Sequence, residues 1–319
     1  MRVARAIVVE SRLPYVGGLT VALAVAVACG KTEEPSEKAA PPVAAALPPA
    51  DAAPIPDPNL PRHWVEPTAG AALTRMLAQV KPRVLGVGEV HLVAGGPRVE
   101  SALVRFTEDM LAGLDGRATD LVVETWITDG KCGKAEKHVT ADVKSKTERP
   151  PETETEIGRL LRRASELHIR PRVMTMGCKQ YEALRSKSGE VDYDRLLQLI
   201  GGELHRNVRA VLDGRPDATV VVYGGSLHND RDPNEGVAAY SYGARLAGEL
   251  GEGYVELDLY VPELVEGDDV MRAEPWYPLL ARAAAPDRVV LVERAPGSYI
   301  LLLQRGLAPQ SSSNTTSTQ

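Results

Sequence analysis

Between Trp64 and about Leu307, short apolar runs alternate with stretches whose apolar positions recur at helical spacing. This alternation predicts an α/β fold: a single domain with a mainly parallel central sheet flanked by helices. A helix over Ala69 to Gln79 leads into the apolar run "RVLGVGE". The next stretch, "GPRVESALVRFTEDMLAGLDG", predicts a helix with Val99, Leu103, Phe106, Met110 and Leu114 on one face. A strand "DLVVETW" follows. The pattern resumes with a helix "EIGRLLRRASELH", a strand "RPRVMTMG", a long helix "DYDRLLQLIGGELHRNVRAVLDG" and a strand "ATVVVYGG". After these come a helix from about Val237 to Leu250 and a strand "YVELDLYV". The final runs, "DRVVLVER" and "SYILLLQR", are joined by Ala-Pro-Gly and predict an antiparallel hairpin at the C-terminal edge. The polar, charged stretch "KCGKAEKHVTADVKSKTERPPETETE" interrupts the alternation and reads as an excursion from the sheet, a candidate lid.

Outside this domain the pattern changes. Residues 1–29 have the layout of a secretory signal: Arg2, Arg5 and Arg12 precede "YVGGLTVALAVAVACG", which is too short for a comfortable membrane span. The segment ends "AVAC" at Cys29 and resembles the lipobox of bacterial lipoproteins, in which the Cys is lipidated after cleavage. Ala26 stands where Leu is usual, and a plain cleaved signal is the alternative. Residues 30–63 are dense in Pro and Ala and read as a linker; these ~33 residues would span on the order of 100 Å if fully extended. The domain occupies 64–307, and residues 308–319 read as a disordered Ser/Thr-rich tail. The expectation is an exported protein, lipid-anchored in the cell envelope, periplasmic or surface-facing, with the membrane as a partner.

Composition narrows the functions. With 319 residues, 44% of them hydrophobic and 25% charged, the chain can bury a full-sized core. A net charge of −6 argues against nucleic acid as a partner, since such surfaces are basic. One Phe, three Trp and ten Tyr leave the core to Leu, Val, Ile and Ala, which weighs against a bulky planar ligand. Setting Cys29 aside for lipid leaves Cys132 and Cys178, which an oxidising compartment would allow to bridge; two free thiols are the alternative. Closing that loop of about 47 residues would stabilise the fold by ~4 kcal/mol in the chain-entropy model.

The candidate chemistry lies where strands end. "RVLGVGEVH" finishes in Gly88-Glu89-Val90-His91 and "TVVVYGGSLH" in Gly225-Ser226-Leu227-His228, so both strands end in Gly-x-x-His. "DLVVETW" adds Glu124. In open parallel α/β sheets ligands bind outside the carboxyl ends of the strands, which would gather Glu89, His91, Glu124 and His228 at one edge. Gly88, Gly224 and Gly225 would permit close approach of backbone and ligand. Two carboxylates and two imidazoles suit either a divalent metal such as Zn²⁺ or direct activation of water by a His poised on a Glu. Ser226 lies outside any Gly-x-Ser-x-Gly context, and neither core Cys has a catalytic one.

"GEVH" after a strand, "VVET" on the next, and "VVVYGGSLH" preceded by "HRN" on a helix together resemble one superfamily. It joins ChaN-like haem-uptake lipoproteins, Tiki and TraB proteins, and erythromycin-esterase-like enzymes. The resemblance covers about Arg83 to Tyr260 and implies that Glu89, His91, Glu124 and His228 line one site. Arg206-Asn207 resembles the Arg-Asn on the helix before the late motif and is thereby a cofactor-binding candidate; a solvated helix face is the alternative. The segment after His91, "LVAGGPRVE", lacks the second His and the acidic residue that ChaN-like sequences often place there. Two functions follow as expectations. One is a hydrolase of peptide or ester bonds, acting on a peptide or small molecule; the other is a non-catalytic lipoprotein that binds haem or iron.

Overall fold

The apolar runs form strands because Val, Ile and Leu dominate them and both sheet faces are covered, so no alternation with polar residues is needed. In the computed structural model, which describes residues 59–186, 190–283 and 287–306, these strands are β2 (Val84–Glu89), β3 (Asp120–Asp129), β4 (Arg170–Gly177), β5 (Val220–Gly225), β6 (Tyr254–Tyr260), β7 (Val289–Ala295) and β8 (Ser298–Leu302). A further strand, β1 (His63–Glu66), precedes them. All eight lie in one sheet, in the order β1-β7-β8-β6-β2-β5-β3-β4. The described residues fall in a single compact unit. The signal-like segment with Cys29, most of the Pro/Ala-rich stretch and the Ser/Thr-rich tail lie outside the described residues.

The sheet is mixed rather than mainly parallel. β8, β6, β2, β5, β3 and β4 run parallel to one another. β7 is antiparallel to β8 as a hairpin, and β1 adds antiparallel to β7. The expected hairpin is therefore present, and β1 extends the antiparallel part. His63, the last residue of the Pro- and Ala-dense stretch expected to be a linker, instead opens this strand. Pro is tolerated at the start of an edge strand. His63 is fully buried: its Nδ1 donates to Pro61 O (2.9 Å) and its Nε2 accepts from Arg282 Nη1 (2.7 Å).

Successive residues alternate between two apolar layers. Leu85, Val87, Leu121, Val123, Val221, Tyr223, Val255 and Leu257 face α1 (Ala69–Gln79), α2 (Ala102–Arg105) and α4 (Thr153–Glu166). Val84, Val122, Val220 and Val222 face α3 (Gly133–Thr147), α5 (Cys178–Ala183), α6 (Tyr193–Gly214) and α8 (Tyr242–Leu250). The helix expected from Gly96 begins only at Ala102, where the Ser101 side chain caps Val104 N, and it continues as a π turn over Phe106–Met110. Ser241 likewise caps α8 and delays the helix expected from Val237.

The charged excursion belongs to the fold. α3 is polar on most of its circumference but buries Ala135, Val139, Val143 and Thr147, one residue per turn. That stripe is too thin to stand out among the nine other charged or polar residues of the helix, yet it packs into the second layer. A disulfide joins Cys132 to Cys178, 46 positions apart, and fastens the start of α3 to the end of β4. Tyr193 OH donates to Asp142 O (3.0 Å) at the other side of the helix. Glu148, in left-handed backbone with φ 47°, ends α3 and turns the chain back toward the sheet at Arg149.

Candidate functional site at the carboxyl ends of β2, β3 and β5

In-register pairing of β2 with β5 sets Gly88 beside Gly224 and Glu89 beside Gly225. The β3 ladder to β5 stops at Val123, and β3 slips against β4 between Val123 and Trp126, which leaves Glu124 and Thr125 in a bulge. A bulge re-aims the side chains it carries. Here it sends the Glu124 carboxylate across β5, where a Cβ on Gly224 would collide with it. A Cβ on Gly225 would stand 2.8 Å from His91 Nε2. The two glycines thus make a floor over which a carboxylate from one side and an imidazole from the other can meet. His228 reaches the same place from α7 (Ser226–Asn229), the short helix that follows β5.

Each imidazole is held in one tautomer. Glu89 Oε1 accepts from His91 Nδ1 (2.8 Å) and from Arg149 Nη2 (3.2 Å), while Oε2 accepts from Tyr223 OH (2.7 Å). Burial alone would raise the Glu89 pKa, but the His91 hydrogen bond and the charge of Arg149 hold it down at about 2. Burial, and next the Arg149 charge, push His91 down to about 4. At neutral pH Glu89 is therefore ionised and His91 neutral, with its proton on Nδ1. His228 Nδ1 faces Tyr240 O at 2.8 Å, and a carbonyl can only accept, so its proton is also on Nδ1.

His91 Nε2 consequently carries a lone pair, and the Nε2 atoms of both imidazoles are buried without a hydrogen-bond partner among the described residues. An unmet buried acceptor costs roughly 1–3 kcal/mol. Glu124, fully buried, accepts from Gly225 N–H through Oε2 (2.7 Å) and places Oε1 3.7 Å from His228 Nε2. Such an arrangement presents two imidazole nitrogens and a carboxylate to one small region. Metal-bound His residues typically give their other N–H to a carboxylate or a backbone carbonyl, as His91 and His228 do here. The donor set fits a divalent cation on this ground, although among the described residues no three His, Cys, Asp or Glu groups are already gathered tightly enough to share one. Glu89 differs from the other three: both its oxygens are engaged by donors, which suits orienting His91 better than ligation.

A cleft of ≈180 Å³ opens beside this cluster, reaching Glu89 and Arg149. That is below the roughly 300–1,000 Å³ of pockets for drug-sized ligands. With His91 and His228 only 8% and 1% exposed, the region does not fit a haem macrocycle as it stands.

Of the residues singled out in the sequence, Glu89, His91, Glu124 and His228 meet at this edge. Arg206 and Asn207 do not join them through any described hydrogen bond: Arg206 is exposed and pairs with Glu203 (2.7 Å), and Asn207 Nδ2 donates to Glu203 O (2.9 Å) on the same helix. Three contributors escaped sequence reasoning. Arg149 follows the thin stripe of α3 in a run of charges, Tyr223 reads as an ordinary core residue of β5, and Tyr240 acts through its backbone. A buried acidic pair on β6, Glu256 and Asp258, also went unnoticed within "YVELDLYV". Arg294 pairs with Glu256, and Asn229, next to His228, donates to Asp258 Oδ1 (3.0 Å). The chain matches no protein-family model, no curated protein and no solved structure.

Proposed function

We propose that this chain is an extracytoplasmic hydrolase of the Tiki or esterase kind, which activates water at His91, Glu124 and His228 to cleave a peptide or ester bond. The observation that carries the reading is the pair of buried, unpartnered Nε2 atoms beside a buried carboxylate, each imidazole locked by its Nδ1 proton. Glu89 orients His91, and Tyr223 and Arg149 hold Glu89. His91 is too weakly basic to take a proton near neutrality, so its part is to accept a hydrogen bond or to ligate. Glu124, 3.7 Å from His228 Nε2, is the group placed to receive the proton of the attacking water. His91, His228 and Glu124 would hold a divalent cation, and such an ion would lower the pKa of its bound water toward neutrality.

The signal-like N-terminus, its lipobox-like end at Cys29 and the Cys132–Cys178 disulfide support a lipid-anchored protein in an oxidising compartment of the cell envelope. The haem-uptake alternative has the same superfamily resemblance behind it, but the buried imidazoles and the small cleft weigh against it. A panel of chromogenic esters and peptides, assayed with and without chelator, tests the reading. His228→Ala and Glu124→Gln should each lower hydrolysis by about 10²-fold or more. Hydrolysis unchanged in both variants would refute it, and a Soret shift on haem titration, abolished by His91→Ala, would favour the alternative.

A further inference from the structure

The cleft beside the cluster has two sides of opposite chemistry. Leu92, Val99, Leu103 and Pro150 give it an apolar wall, while Glu89, Arg149 and Glu156 stand as its charged groups, with Glu152 at the exposed rim. The Arg149 side chain is only 8% exposed. Its Nη2 is bound to Glu89, but Nε and Nη1 are buried and lack a partner among the described residues. Three N–H bonds of a buried guanidinium are thus left without an acceptor, which is unfavourable unless an oxygen enters the cleft. Across from it, Glu156 accepts from Ser101 Oγ (2.8 Å) through Oε2. Burial raises the Glu156 pKa and the charge of Glu89 pushes the same way, so a cation set against Glu156 would relieve both.

The cleft therefore calls for an oxygen acceptor, a cation and an apolar group within a space of one residue. A simple carboxylate would satisfy Arg149 but meet Glu152 and Glu156 unfavourably. The amino terminus of a peptide carries all three features on adjacent atoms.

We propose that the cleft binds the free amino terminus of a peptide whose first residue is apolar, with the ammonium on Glu156 and Glu152 and the first carbonyl oxygen on Arg149. The scissile bond is then the first peptide bond, which rests on the hydrolase reading above. Water adds its OH to the carbonyl carbon, the C–N bond breaks, and the water proton goes to the leaving nitrogen, giving one free amino acid and a peptide shorter by one.

The test separates binding from turnover. Leucinamide and N-acetylleucinamide are titrated into the full chain and followed by thermal shift and calorimetry, and leucine p-nitroanilide and its N-acetyl form are assayed for release of p-nitroaniline. Leucinamide should bind at least tenfold tighter than its acetylated form. Glu156→Gln and Arg149→Lys should each weaken leucinamide by about tenfold, and His228→Ala should keep binding while losing release. Equal affinity for the two amides, or none for either, overturns the proposal. Binding of leucinamide without hydrolysis of any substrate supports the cleft and overturns the hydrolase. Hydrolysis indifferent to acetylation supports the hydrolase and overturns amine recognition.

Discussion

Raising the pH should destabilise this fold through a group that belongs to none of the sequence motifs. Glu256 and Asp258 on β6 are 0% and 2% exposed and face the same layer. Burial and the neighbouring Asp258 charge push Glu256 up to about 8, against the pull of Arg294. Burial likewise pushes Asp258 up to about 6. Well below the ordinary values of 3.8 for Asp258 and 4.5 for Glu256 both carboxyls are protonated in folded and unfolded chains alike, and no difference arises. As pH rises, the unfolded chain releases the Glu256 proton near its ordinary 4.5 while the folded chain keeps it to about 8. The folded state then binds more protons than the unfolded one, so stability falls with pH across this window and levels off above it. At about 1.4 kcal/mol per pH unit, the span from 4.5 to about 8 amounts to a loss on the order of 5 kcal/mol from Glu256 alone. Glu256→Gln keeps the shape of the protonated side chain and removes its titration. Urea unfolding at pH 5, 7 and 9 should therefore show a stability curve flatter than the wild type by about this amount, with m unchanged. Parallel curves for the two proteins would refute the reasoning and would mean that Arg294 keeps Glu256 ionised throughout.

Replacing Cys132 and Cys178 by Ser should cost about 4 kcal/mol, the chain-entropy value for a separation of 46 residues; equal urea midpoints with and without reductant would contradict it. Gly225→Ala, with its new Cβ 2.8 Å from His91 Nε2, should abolish hydrolysis at a stability cost of about 1–3 kcal/mol, measured by activity and thermal unfolding together. Gly248→Ala on α8 meets open space and should leave activity intact while adding about 0.4–1 kcal/mol, so an equal loss in both variants would sink the account of the floor.

The parts legible in the sequence were those with local signatures. The six strands of the parallel part, most of them marked by short Val/Leu runs, and α1 to its last residue follow from periodicity. Glu89 and His91 follow from their place at the end of such a run. What stayed hidden depends on contacts distant in sequence. The β3 bulge that aims Glu124 exists only against β4 and β5, and α3 becomes a stable helix only once its narrow stripe meets the second layer. Arg149 reaches Glu89 because α3 and its left-handed cap return the chain to the sheet, and nothing in "TERPPE" announces that. Glu256 and Asp258 alternate with Val255, Leu257 and Leu259, which reads as an ordinary half-exposed strand until both faces prove covered.

β1 lies at one edge of the sheet, five strand positions from β5, a lateral distance on the order of 24 Å at ~4.8 Å per strand. Being antiparallel to β7, which is itself antiparallel to β8, it points the same way as β2 and β5. His63 therefore enters at the end of the sheet opposite to the one where His91, Glu124 and His228 gather. The described chain thus begins on the flank and at the end of the sheet that lie away from the candidate site.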